Sequence, residues 1–121
     1  MSFTATDIDL DDQEPRLAAH LAVGSPEGAR TSGVVLIHGF PSPTRPGPPS
    51  RTYHQLGERI ADELGWTSLA LSLRGCGESE GQFSFDGWIA DVDRAITYLC
   101  DLGCRGVWLV GSTTGGSLAM I

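Results

Sequence analysis

Residues 107–121 read VWLVGSTTGGSLAMI. Gly111 and Gly115 stand two positions either side of Thr113, where an apolar run gives way to small residues and then to a helix-compatible tail. That spacing suits a sharp strand-to-helix turn that lifts one hydroxyl above the end of a strand. The flanking positions must be small for the bend to close, and Gly116 eases the approach of the following helix. A hydroxyl held this way attacks a carbonyl carbon once a base takes its proton.

The central residue of such a turn is ordinarily Ser, and here it is Thr113. The turn usually holds its central residue in a strained backbone conformation, often at positive φ. A β-branched side chain there costs about 1–3 kcal/mol, and its methyl group crowds the approach to a carbonyl. Ser112 is the alternative hydroxyl. Using it would shift the register by one and place Val110 and Thr114 where small residues are wanted.

An acyl-transfer site also needs donors for the developing oxyanion, and a base with an orienting acid. The stretch HGFP (38–41) follows the apolar run VVLI and supplies a permissive Gly39 next to the Phe40 amide; Pro41 has no N–H to offer. The three histidines, His20, His38 and His54, all precede the turn, and none can be assigned the role of base. A third Gly-rich turn, RGCGES (74–79), reads as structural, with Arg74 and Ser79 bracing neighbouring loops.

Two nucleotide-binding patterns fail on the same residues. GSTTGGSL has P-loop glycines but Ser117 where the lysine belongs, and RGCGESEG has Glu80 in place of a third glycine. Cys100 and Cys104, with no His or third Cys nearby, make a poor zinc site, so Cys76, Cys100 and Cys104 read as buried or half-buried structural thiols.

The elements that would position these turns follow from hydrophobic period. Residues 3–10 alternate, with Thr6, Ile8 and Leu10 on one side and Asp7 and Asp9 on the other, and residues 16–23 return as the second strand of a hairpin. VVLIH (34–38) is a strand buried on both faces. Five prolines within 39–51 exclude a regular element. A helix starts at Thr52 with a Thr52/Gln55 capping box, carries the stripe Leu56, Ile60, Ala61 and Leu64, and ends at Gly65.

TSLALSL (67–73) is the next strand. Ser84 or Asp86 caps a second helix with the stripe Trp88, Ile89, Val92, Ile96 and Leu99, stopped by Gly103. GVWLVG (106–111) is a further buried strand, and 114–121 begins a third helix. Alternating strands and amphipathic helices predict an α/β fold: a mostly parallel sheet of about five strands, helices on both faces, and the first two strands as an antiparallel edge. The three glycine turns then fall at the carboxyl ends of three successive strands, where open α/β sheets bind ligands.

In order and spacing, HGFP, LRGCGES and VGSTTGG resemble the first half of the α/β-hydrolase family, most closely bacterial esterases and serine-peptidase-like hydrolases, over roughly residues 3–121. The resemblance implies hydrolysis of an ester or amide through an acyl-enzyme. It puts Thr113 in the nucleophile position, the Phe40 and Thr114 amides in the oxyanion hole, and His38 as a buttress of the oxyanion loop. It makes Gly111, Gly115 and Gly116 the frame of the elbow.

In this family the acid and the histidine follow the elbow. The chain is therefore expected to be one partial domain, 1–121, ending inside the helix after the elbow and inactive on its own. It would be completed by a C-terminal chain or associate through an exposed sheet edge. The alternative is a non-catalytic module that binds a small molecule or completes its sheet with a partner. No metal or organic cofactor is implied.

Composition sets the outer bounds. The net charge is −7, and all eight basic residues are arginines scattered along the chain, against a nucleic-acid partner. The acidic N-terminus lacks a signal-peptide pattern, and no apolar run approaches bilayer length, so a cytoplasmic location without membrane attachment is expected.

Overall fold

The computed structural model describes residues 3–24, 32–37, 52–76, 79–82 and 84–111. Within them lie five strands, β1 (Thr4–Leu10), β2 (Leu17–Val23), β3 (Ser32–Ile37), β4 (Thr67–Leu71) and β5 (Gly106–Gly111), and two helices, α1 (Thr52–Leu64) and α2 (Phe85–Asp101). The strands form one sheet in the order β1-β2-β4-β3-β5. β3 pairs in parallel with β4 and β5, β2 pairs antiparallel with both β1 and β4, and so β2 alone is reversed. The sheet is mixed, mostly but not purely parallel, because the hairpin sends β2 back against the strands on either side of it. The third helix expected over 114–121 lies outside the described residues.

The sheet buries both faces, as its β-branched and leucine-rich strands require. On one face Val35, Ile37, Leu69 and Leu71 pack with Trp88, Val92, Ala95 and Leu99 of α2. On the other, Val34, Leu36 and Ala70 pack with Tyr53 and Ile60 of α1, which lies over β4 and β2. In the hairpin, Ile8 and Leu10 join the α2-side core while Asp7 stays exposed, as the alternation predicts.

α2 forms as expected. Ser84 caps it and accepts a 3.0 Å hydrogen bond from the Gly87 amide, and Asp86 in the first turn complements the helix dipole. α1 differs in part of its contact face. Of the expected stripe, Ile60 and Ala61 pack on the sheet while Leu56 and Leu64 are exposed at 40% and 57%, and Gly57, outside that stripe, makes the close approach to β4. A Cβ at Gly57 would stand 2.6 Å from the Ser68 hydroxyl. Gly65 closes α1 at φ 73°, its amide bonding the Ala61 carbonyl at 3.0 Å. The capping pair read at the start of α1 involves the side chain of Thr52, which lies outside the described residues.

β5, read as a buried type of strand that this chain leaves as an exposed sheet edge, is an edge of the described sheet, with Trp108 62% and Val110 44% exposed while Val107 and Leu109 pack inward. Cys76 and Cys104 are buried, and desolvation raises both thiols above their ordinary pKa, which keeps them unreactive; Cys100 is exposed. None of the described helices is long and apolar enough to cross a membrane.

Candidate functional site

The three strands that carry the glycine turns end level. Ile37 of β3 is in register with Leu71 of β4 on one side and Gly111 of β5 on the other. Adjacent strands are about 4.8 Å apart, so the chain leaves the sheet three times side by side along one rim. His38, Gly39 and Phe40 follow β3 directly, and Thr113 lies two residues beyond the end of β5. Gly111, in the last position of β5, is the one expected site residue inside the described part. His38, Gly39, Phe40, Thr113, Thr114, Gly115 and Gly116 lie outside it, as does the alternative Ser112.

The turn after β4 is described at 74–76 and 79, and its start is held by charge. Asp91 of α2 is fully buried and receives the Arg74 backbone amide at 2.8 Å, the Arg74 Nη2 at 2.7 Å and its Nε at 3.0 Å. The Arg74 carbonyl accepts the Trp88 indole N–H at 3.1 Å. A Cβ on Gly87 would lie 2.7 Å from the Arg74 side chain, so a glycine in the first turn of α2 makes room for this clamp. Ser79 accepts the Ala18 amide at 2.8 Å and donates to the Ser72 carbonyl at 2.5 Å, tying the turn to β2. Arg74 and Ser79 are structural, as expected, but they fasten the turn to α2 and β2 rather than to neighbouring loops, and Asp91 is the partner that the sequence did not reveal.

A second polar group lies away from the rim. Asp7 and His20 are direct cross-strand neighbours in the β1–β2 hairpin, and the Asp7 Oδ1 is 2.7 Å from the His20 Nδ1. The other ring nitrogen, Nε2, is 2.6 Å from the Glu58 Oε2 on α1. The His54 ring, one turn before Glu58, stacks on that of His20 with centroids 4.6 Å apart and an interplanar angle of 11°. Burial disfavours the imidazolium of His20, but the hydrogen bonds and charges of Asp7 and Glu58 outweigh it and raise the pKa above its ordinary value. His20, a partly buried residue of β2, is the junction of β1, β2 and α1.

This junction gives stability a pH dependence. The His20 pKa is higher folded than unfolded, so its contribution is fully present below the unfolded value of about 6.5 and is lost as pH rises through the folded value. In chelator-treated protein, His20→Gln should therefore lower the urea midpoint more at pH 6 than at pH 8.5. An equal loss at both would show that His20 does not carry the charge.

The Alpha/beta hydrolase family model matches residues 34–121. Nothing among curated proteins matches the chain. Among solved structures, it is similar to Est1E from Butyrivibrio proteoclasticus, determined with ferulic acid bound, at 20% identity and a TM-score of 0.76, covering 93% of this chain and 45% of that one. XC6422 from Xanthomonas campestris, described as an a/b serine hydrolase without lid, aligns at 21% identity and a TM-score of 0.71, over 95% of this chain and 53% of that one. The mouse alpha/beta hydrolase domain-containing protein 10 aligns at 26% identity and a TM-score of 0.66, over 93% and 42%. The chain spans about half the length of the structures it matches.

Proposed function

Because this chain belongs to the alpha/beta hydrolase family, we propose that it carries the nucleophile-bearing half of a site that hydrolyses an ester or amide through an acyl-enzyme. The observation that carries this reading is the level ending of β3 and β5 at Ile37 and Gly111. Neighbouring parallel strands that end together deliver the segment 38–40 and the segment 112–114 to the same rim. There the Phe40 and Thr114 amides would receive the oxyanion formed when the residue at 113 attacks a carbonyl carbon. His38 would support the loop, and Gly111, Gly115 and Gly116 would let the elbow close against the sheet.

In this reading the base and its acid come from the further part of the fold that the relatives contain. His20 is unsuited to the role, since both of its ring nitrogens face carboxylates. Thr113 keeps the hydroxyl but adds a methyl at a crowded, strained position, so the chain alone should be close to inactive. That one relative binds ferulic acid favours an ester of a carboxylic acid as the first substrate to try.

The test is hydrolysis of p-nitrophenyl acetate by the chain, by Thr113→Ser, and by each with the C-terminal half of a family member supplied in trans. Turnover should appear for Thr113→Ser with its complement and disappear in Thr113→Ala with the same complement. Hydrolysis by the natural chain that survives Thr113→Ala would refute the assignment.

The position of β5 at the edge of the described sheet favours a second reading, in which that edge takes a further strand from a completing chain or a second copy. A stable oligomer with small-molecule affinity, and no rescue by Ser at 113, would favour a non-catalytic binding module instead.

A further inference from the structure

Three donor residues of the types that bind zinc meet at the hairpin. One ligand atom each from Asp7, His20 and His54 can be chosen so that all lie within 4.8 Å of one another. The donors of a tetrahedral zinc ion, with bonds of about 2.0–2.1 Å, sit about 3.3 Å apart. To bind one ion together, the His54 ring must turn out of its stack on His20, which stands at 4.6 Å and 11°, so that both ring nitrogens point to the same place. The Asp7 side chain is 85% exposed, and through it the group opens to solvent.

The fourth residue makes the cluster more than a chance meeting of donors. Metal-bound histidines commonly donate their second ring N–H to a carboxylate, which fixes the tautomer and makes the ligating nitrogen a better donor. Glu58 stands in that position, 2.6 Å from the His20 Nε2, while the His20 Nδ1 faces Asp7. His54 and Glu58 are four residues apart on α1 and so share a helix face, the spacing that lets one helix supply both a ligand and the carboxylate behind the other ligand. Two imidazoles and a carboxylate are borderline donors, suited to zinc rather than to magnesium or calcium.

We propose that Asp7, His20 and His54 form a Zn2+ site completed by water, with Glu58 as the carboxylate that orients His20. On binding, the ion takes the place of the proton between Asp7 and His20, which leaves to solvent, and His20 keeps its Nε2 proton toward Glu58. The ion joins the β1–β2 hairpin to α1, which is distant from it in sequence, so its effect is to stabilise the fold. It has no part in the chemistry of the rim, and the proposal does not depend on the hydrolase reading.

The experiment is competition for Zn2+ between the full, metal-stripped chain and a chromophoric chelator, together with thermal melting. The chain should take up one equivalent of Zn2+, and its Tm should rise with the ion. His54→Gln should weaken binding at least tenfold, and Glu58→Gln by about 10–100-fold, the range for loss of such a carboxylate. Both variants keep a polar side chain of similar size on a helix face, and their far-UV circular dichroism should match that of the natural chain, which separates lost ligation from lost folding. Cys100→Ser should bind normally, and Co2+ in the site should show no thiolate charge-transfer band. Absence of one-equivalent binding would overturn the proposal. So would binding that tolerates both His54→Gln and Glu58→Gln, or that vanishes with Cys100→Ser.

Discussion

Asp91→Ala should destabilise the chain by about 3–5 kcal/mol, the loss expected when one partner of a buried ion pair is removed. Asp91 is fully buried, and its two oxygens accept both from the guanidinium and from the backbone amide of Arg74. Without them the Arg74 charge remains largely enclosed, its side chain 20% exposed, and the turn after β4 loses its anchor on α2. A domain of this size has about 5–15 kcal/mol in total, so the loss removes a large fraction of its stability. Asp91→Asn keeps the shape and one acceptor oxygen and should fall between the two. Urea unfolding followed by circular dichroism measures both. A change below about 1 kcal/mol for Asp91→Ala would mean that the clamp contributes little.

The second large effect is expected at Arg94, whose side chain is 5% exposed although it carries a charge. Its Nη1 donates to the Pro15 carbonyl at 2.7 Å, and its Nη2 to the Leu10 and Gln13 carbonyls at 2.9 and 3.1 Å and to Asp12 at 3.2 Å. One guanidinium thus holds three carbonyls and a carboxylate at and beside the turn between β1 and β2 and fastens the hairpin to α2. Arg94→Met keeps most of the volume and removes the donors. Acceptors left without partners cost about 1–3 kcal/mol each, but an exposed turn regains some of this from water, so about 2–4 kcal/mol is expected overall. Amide exchange should show where the effect lies: protection should fall across β1 and the outer half of β2 more than in β3. A uniform fall would indicate loss of general packing rather than release of the hairpin.

Both side chains show what the sequence made legible and what it hid. The runs in β3 and β4, the alternation in β1, the Ser84 cap and the glycine ends of both helices are local signals, each set by a few neighbouring residues, and the structure follows them. Asp91 and Arg94 lie on the same side of α2 as Trp88, Val92 and Ala95, yet a reading by hydrophobic stripe assigns charges to solvent. Their position within the apolar stripe was the available sign of burial with partners. The face of α1 was misread in part for a related reason. Ile60 and Ala61 were read correctly, but close approach to β4 selects Gly57, where a hydrophobicity count favours Leu56 and Leu64.

The junction at His20 lay further out of reach. Asp7 is 13 residues away and Glu58 38 residues away, and they meet only because the hairpin register and the seat of α1 bring them together. At the rim, the structure describes the strand ends rather than the turns after β3 and β5. Glycine turns after buried parallel strands place the rim at their carboxyl ends, and the shared register of Leu71, Ile37 and Gly111 supplies the alignment that no local pattern contains.

The central claim is that the segments leaving β3 and β5 face each other across that rim. Its most direct test is the separation of the Phe40 amide and the Thr113 hydroxyl in an experimental structure of the chain. Strands next to one another that end level predict the two groups on the same rim, within about 10 Å, or two strand spacings. They also predict that the chain bends at Thr113 into a helix. The two groups at opposite ends of the sheet, or residues 112–116 running on as a straight strand, would contradict the account.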